Sequence, residues 1–401
     1  MKLRGDHHLA YCTNVHRGET WPETLAALEH HTLPIRERVA PGRPYAIGLR
    51  LGARAAAELA APATLTEFRR WLDRHDCHVF TINGFPFGDF HGTRVKEQVY
   101  APDWSTAERL DYTCLLFDLL AVLARPETGG SVSTVPGSFK DFLAAEPERS
   151  DAIFAHLTRC ARHVAELSAH TGLDLHLGLE PEPLCQLETT EETIAFFADW
   201  RDRTPDAAAL SRHLGVNYDC CHLAVEFEEP SAALDRLAAA DIRLSKLHLS
   251  SALRATPDAA GRAALAAFVE PTYLHQVVVA NAGRVRRRFA DLPDALADAD
   301  ANPPHAGDEW RIHFHVPLHA APAAPLGDTR DHLRGALDWL AAHPAACRHL
   351  EMETYTWAVL PPELQQPVEE QIVREYEWTL AACAQRGLAS PHRPNQPRQF
   401  Q

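Results

Sequence analysis

The 401-residue chain has nine cysteines but no CxxC spacing, no apolar run of 18 residues, no excess of positive charge and no low-complexity linker. Each absence removes a class of protein. Without paired cysteine motifs, a zinc ribbon or finger is excluded, and the thiols are expected to be free in a reducing compartment. Without a long apolar run, no segment qualifies as a membrane-spanning helix. The first residues, MKLRGDHHLAYC, contain no apolar leader core, so a cytoplasmic location is expected. The formal net charge of −15 opposes binding to nucleic acid or to an anionic membrane surface. No basic, aromatic-interleaved stretch offsets it.

What the chain does contain is ordinary in bulk and unusual in one respect. Hydrophobic content of 46% and charged content of 23% are those of a globular protein, long enough for one large barrel. Histidine is abundant, at 24 residues, and neutral imidazole is the commonest metal ligand.

Strand-like and helix-like runs alternate along the chain, the pattern of a parallel sheet with helical crossovers. Strands are expected at 7–15, 45–51, 78–85, 131–137, 173–180, 213–219, 241–250, 310–319 and 348–355. That is one run more than a (β/α)8 barrel holds. The extra one is placed at 311–316, because the preceding stretch, about 251–310, reads as an irregular insertion. A single TIM-barrel domain over 1–388 with a frayed tail at 389–401 is therefore expected. An open, doubly wound sheet is the alternative, and ligands at many strand ends favour closure.

The stretch DLHLGLEPEP at 174–183 sets the argument. Leu175, Leu177 and Leu179 alternate with His176, Gly178 and Glu180, a period of two. Pro181 and Pro183 then end the ladder, since proline donates no hydrogen bond and fixes φ. A carboxylate at the C-terminal mouth of a strand is where such barrels keep their chemistry. Three further strands end alike: Asp219 in NYDCCH, His248 in KLHLS and Glu353 in LEMET. Asp219 alone reads as well as a helix N-cap. Together the four carboxylate and imidazole groups read as a cage for Mn, Zn, Co, Fe or Mg, because buried carboxylates need a compensating cation. Glu351 falls on the same face as Glu353, one layer deeper. Around the cage, His222, Lys96, His91, Asn14, His16, Asn83, His315, Tyr355 and Trp357 are candidates for lining a substrate pocket. Glu182 is expected at best beside it. Lys96 and Arg94 lie on a long loop, 86–104, of the kind that covers barrel mouths.

The motifs LGLEPEP, NYDCCH, KLHLS and LEMET, in that order, resemble those of the xylose-isomerase-like, or sugar-phosphate isomerase/epimerase, superfamily, which includes the AP endonucleases. The resemblance covers most of the chain. It implies a metal held by Glu180, Asp219, His248 and Glu353, with Glu180 and Glu353 exchanging a substrate proton as base and acid. More narrowly, LAYCTNVH, FTINGFP, FHGTRVKEQVY, STVPGSFK and HLEMETYTW resemble EboE-type metabolite traffic proteins, which are linked to a secondary-metabolite precursor. A histidine that AP endonucleases would place near STVPG is replaced by Val135 and Pro136.

The expected function is thus metal-dependent isomerisation or epimerisation of a small polyol or sugar-like compound. The alternatives are a phosphoester hydrolase, with His91, His313 and His315 supplying a second metal, and a metabolite-binding protein without catalysis. Oligomerisation is left open.

Overall fold

The computed structural model describes residues 1–88, 90, 95–146, 148–361 and 364–390. His91 and Arg94, two of the residues singled out above, lie outside them, as does the tail from 391.

Eight parallel strands form the barrel. They are β1 (His8–Tyr11), β2 (Tyr45–Arg50), β3 (Cys77–Asn83), β4 (Gly130–Thr134), β5 (Leu175–Leu179), β6 (Leu214–Asp219) and β7 (Arg243–Leu249), followed after an excursion by the last barrel strand, His349–Met352. The sheet runs in the order β1, His349–Met352, β7, β6, β5, β4, β3, β2. It closes where Cys12, just past β1, bridges in parallel to Gly48 of β2. That closure makes it a (β/α)8 barrel, as the alternation implied.

The excursion is the run of chain between β7 and His349. It holds β8 (Ala252–Ala255), β9 (Val277–Asn281), β10 (Arg284–Phe289), β11 (Asp308–His315) and β12 (Leu326–Asp328), so that His349–Met352 is β13. These five strands make a separate sheet in the order β10-β9-β11-β8-β12, with antiparallel pairing. The supernumerary strand at 311–316 is thus part of β11 and not of the barrel. The stretch read as irregular is an ordered sheet that continues to Asp328. Its own apolar cluster, built on Leu253, Val277, Trp310, Ile312 and Phe314, explains why the segment holds together. The arginines of β10, Arg284, Arg286, Arg287 and Arg288, hide its strand character by breaking the apolar alternation.

Helix starts are written locally. Thr189 caps the helix Thr190–Arg203, accepting from Glu192 N while the Glu192 carboxylate returns a bond to the Thr189 N–H. Leu388 and Ala389 are buried in the main apolar layer, so the chain stays packed up to the edge of the expected tail. Among the described residues no helix is long and apolar enough to cross a membrane.

Candidate metal centre

The barrel brings Glu180, Asp219, His248 and Glu353 to one point. One ligand atom from each lies within 4.8 Å of the others, and all four side chains are buried. His248 Nδ1 is the hub: it stands 2.9 Å from Glu180 Oε1, 3.3 Å from Asp219 Oδ2 and 3.0 Å from Glu353 Oε2. The β-ladder explains the convergence, since Asp219 pairs with His248 across β6 and β7, and Glu351 with His248 across β7 and β13.

Each ligand is held by a partner that leaves one atom facing inward. Asp219 is a helix cap and a site residue at once. Its Oδ1 accepts from the backbone of Cys221 (2.7 Å) and His222 (3.0 Å) and from the Ser250 hydroxyl (2.7 Å), capping the helix Cys220–Val225. Its Oδ2 is buried without a hydrogen bond, as is Glu180 Oε2. Asn14 (2.7 Å) and Asn83 (3.0 Å) both donate to Glu353 Oε1 and so orient the carboxylate at the pocket they line. His248 Nε2 lies 2.8 Å from Glu351 Oε2, which the fully buried ammonium of Lys246 also meets at 2.5 Å. This carboxylate beneath the imidazole is the outer partner that metal-ligating histidines have, and it frees Nδ1 for an ion.

Burial opposes charge on Asp219, His248, Glu351 and Glu353, but the opposing charges win. The Glu353 and Glu180 carboxylates hold the His248 imidazole well above its usual value. The His222 and His248 imidazoles hold Asp219 well below the usual carboxylate range. Glu351 is pushed down to about 2 by Lys246 and His248 despite its burial. Two orphaned carboxylate oxygens, a ligand set of three carboxylates and one imidazole, and a tethered histidine fit a hard or borderline divalent cation.

A second group of ligands adjoins the first. His222 Nδ1 lies 3.0 Å from Pro181 O, His315 Nδ1 2.7 Å from Glu353 O, and His313 Nδ1 2.8 Å from Gln276 Oε1. The Nε2 atoms of His313 and His315 are buried without partners. Asp219, His222 and His315 make one ligand-sized group, and Glu182, His222 and His313 another. Burial keeps His313 and His315 below the usual imidazole range, that is, neutral and able to ligate.

A cavity of about 60 Å³ opens over the centre, with Glu180, Glu182, His222 and Glu353 at its floor and Phe90, Tyr273 and Tyr355 in its wall. Tyr355 packs edge against face with both Phe90 and Tyr273, which are tilted against each other, and the centroids lie 5.1–5.6 Å apart. The roof joins barrel loop and inserted sheet, because Val95 and Lys96 both donate their N–H to Thr272 O. Lys96 borders the cavity, but its ammonium lies 2.5 Å from Asp291 Oδ2 and serves to hold the loop down. Glu182 is more central than its sequence position suggested. It accepts from the Tyr100 hydroxyl at 2.5 Å, and burial pushes its carboxyl up to about 7. Two sequence candidates lie elsewhere. The short turn Thr13–Val15 carries His16 outward to stack on His31, and Trp357 is buried against the inserted sheet's apolar cluster, near His319. Tyr273 and Gln276 carry no motif at sequence level, whereas Tyr100 ends the FHGTRVKEQVY stretch; the three reach the site from the long loop and the insertion.

No family model and no curated protein matches the chain. Among solved structures, a xylose isomerase domain protein from Planctomyces limnophilus is 14% identical, with 88% of this chain and 91% of that one covered and a TM-score of 0.49. A xylose isomerase-like TIM barrel protein from Mycobacterium smegmatis, in complex with magnesium, is 13% identical over 91% and 90% of the two chains, with a TM-score of 0.48. The IolI protein, with a zinc atom bound, is 12% identical over 94% and 98%, with a TM-score of 0.47. At such identities the likeness is one of fold, and the (β/α)8 class stands on this chain's own strand order and closure.

Proposed function

We propose that this barrel is a divalent-metal-dependent isomerase or epimerase acting on a small polyol or keto-sugar-like compound. The observation that carries the reading is the convergence of Glu180, Asp219 and Glu353 on Nδ1 of His248, at a pocket that Glu180 and Glu353 also line. A bound cation supplies the Lewis acid that polarises a carbonyl and makes the neighbouring C–H acidic. The chain's own groups do the rest. Glu180, which lines the cavity and whose Oε2 has no hydrogen bond, takes the proton, and Glu353, pinned by Asn14 and Asn83, returns it from the other side. Glu182 and His222 meet substrate hydroxyls, and the ring wall excludes water. The resemblance to metabolite traffic proteins points to a secondary-metabolite precursor as the natural substrate.

Incubating the metal-loaded protein with a panel of ketoses and keto-polyols in D2O tests this. Deuterium should enter at the carbon beside the carbonyl with wild type and not with Glu180→Gln or Glu353→Gln. No exchange from any member of the panel in the metal-loaded wild type would sink the proposal.

A second reading, metal-dependent phosphoester hydrolysis, is favoured by the two unpartnered Nε2 atoms of His313 and His315 beside Asp219 and His222. It requires two or three ions per chain, and turnover of a phosphodiester that the isomerase reading does not expect.

A further inference from the structure

We infer a peripheral transition-metal site on the outside of the barrel, where His30, His31 and Glu369 meet. Neighbouring residues of a regular helix do not face one another. Here, however, the chain passes through a single π-helical stretch, Leu28–Thr32, between the helices Trp21–Ala27 and Leu33–Val39. The rings of His30 and His31 lie 4.7 Å apart as a result. Such insertions are rare and collect at functional positions.

The site has a backing. His16 stacks on His31 at 4.4 Å and 4°. Its Nε2 is 2.8 Å from the Tyr11 hydroxyl, which lies 2.6 Å from Thr32 Oγ1 on the same turn. From the opposite side, the first turn of the helix Val368–Gln385 brings Glu369 Oε1 to 2.6 Å from His31 Nδ1. One ligand atom from each of the three residues lies within 4.8 Å of the others. Zinc bonds of about 2.0–2.2 Å place tetrahedral ligand atoms roughly 3.3 Å apart, so small side-chain shifts complete the set. His31 and Glu369 are 27% and 29% exposed, which admits the ion and leaves a fourth position to water. Two imidazoles and one carboxylate select zinc, nickel or copper over magnesium or calcium.

The location gives such an ion a task. The histidines follow β1 and Glu369 follows β13, and these are paired neighbours in the barrel. Beside them Arg38 reaches Glu370 at 2.8 Å across the same seam. An ion at His30, His31 and Glu369 therefore fastens the first βα unit to the last.

The test is zinc binding by the full chain, with zinc chloride as the probe. Wild type, Glu180→Gln/Glu353→Gln, and the same double variant carrying His30→Gln or Glu369→Gln are dialysed against zinc and counted by elemental mass spectrometry. Adding either peripheral substitution should remove one zinc per chain. At zinc about a hundredfold above the dissociation constant, the Glu180→Gln/Glu353→Gln protein should melt about 3 °C higher than without zinc, and lose that rise when His30→Gln is added. Equal zinc counts and equal shifts with and without His30→Gln would overturn the site. Failure of Glu180→Gln/Glu353→Gln to lose zinc would instead count against the barrel centre, so the two results are separable.

Discussion

Replacing Glu351 by glutamine tests the reasoning about the metal centre without touching a ligand. Glu351 lies between a buried ammonium and a buried imidazole, with Lys246 Nζ at 2.5 Å and His248 Nε2 at 2.8 Å from the same oxygen. Both Lys246 and Glu351 are fully enclosed, so breaking the pair strands the lysine's charge. That costs about 3–5 kcal/mol of stability. Loss of the carboxylate also weakens the hold on the imidazole that leaves Nδ1 available, for which a 10–100-fold fall in metal affinity is the usual size. That fall corresponds to about 1.4–2.8 kcal/mol at 1.4 kcal/mol per decade. The two effects separate in the double variant Lys246→Met/Glu351→Gln. Removing both charges together restores most of the stability, because no uncompensated ion remains, while the imidazole still lacks its anionic partner. Thermal unfolding reports the first effect, and competition against a chromophoric chelator with Mn²⁺ or Zn²⁺ reports the second. Wild-type metal affinity in both variants would refute the argument, because His248 would then need no carboxylate beneath it.

Other expectations follow from the same geometry. Four histidines, His8, His78, His176 and His349, are buried among the barrel strands. Burial lowers His8 to about 4 and His78 and His349 to about 3, against an unfolded value near 6.5. The unfolded chain binds these protons first, so stability is fully present above pH 6.5 and falls by several kcal/mol, roughly, as pH drops toward 4. Chemical denaturation across that range measures it, and a flat profile would contradict the burial. Asn83→Ala, which frees Glu353 Oε1 of one donor, should cost about tenfold or less in metal affinity, and Asn14→Ala/Asn83→Ala clearly more. Elemental analysis of the His30→Gln chain, which lacks the peripheral site, decides between the two functional readings, since two or three ions in the barrel favour hydrolysis and one favours isomerisation. With its carboxyl near 7, Glu182 changes charge at neutral pH, so a step in kcat/KM near pH 7 should vanish in Glu182→Gln. Persistence of that step would assign it to another group.

The parts of the molecule that could be read from the sequence are those where local pattern and tertiary role coincide. LGLEPEP announces a strand, its end and its carboxylate because alternation, proline and burial all act within seven residues. NYDCCH and KLHLS each end a strand in a ligand side chain, and the ladder then delivers Asp219 and His248 to one depth. Asp219 also shows why two readings of one residue need not compete: Oδ1 caps the helix while Oδ2 faces the centre. What stayed hidden depends on chain segments that meet only after folding. Lys246 is spaced like any strand residue, and its partner is 105 positions away. Asn14 and Asn83 end early strands and read as pocket candidates, but their acceptor, Glu353, comes from the far end of the chain. Lys96, read as a substrate contact, is claimed by Asp291 of the insertion, whose strands the arginines of β10 conceal. The insertion is the decisive case. It supplies Tyr273, Gln276 and His313 to the site and Thr272 to the loop above it. The barrel by itself thus accounts for the metal cage, whereas the pocket above it is completed by Tyr273, Leu274 and His313 of the insertion. Differences in substrate among barrels with such a cage are therefore expected to follow the lid, and exchange of Tyr273 or Gln276 should change which compound is accepted while leaving metal affinity intact.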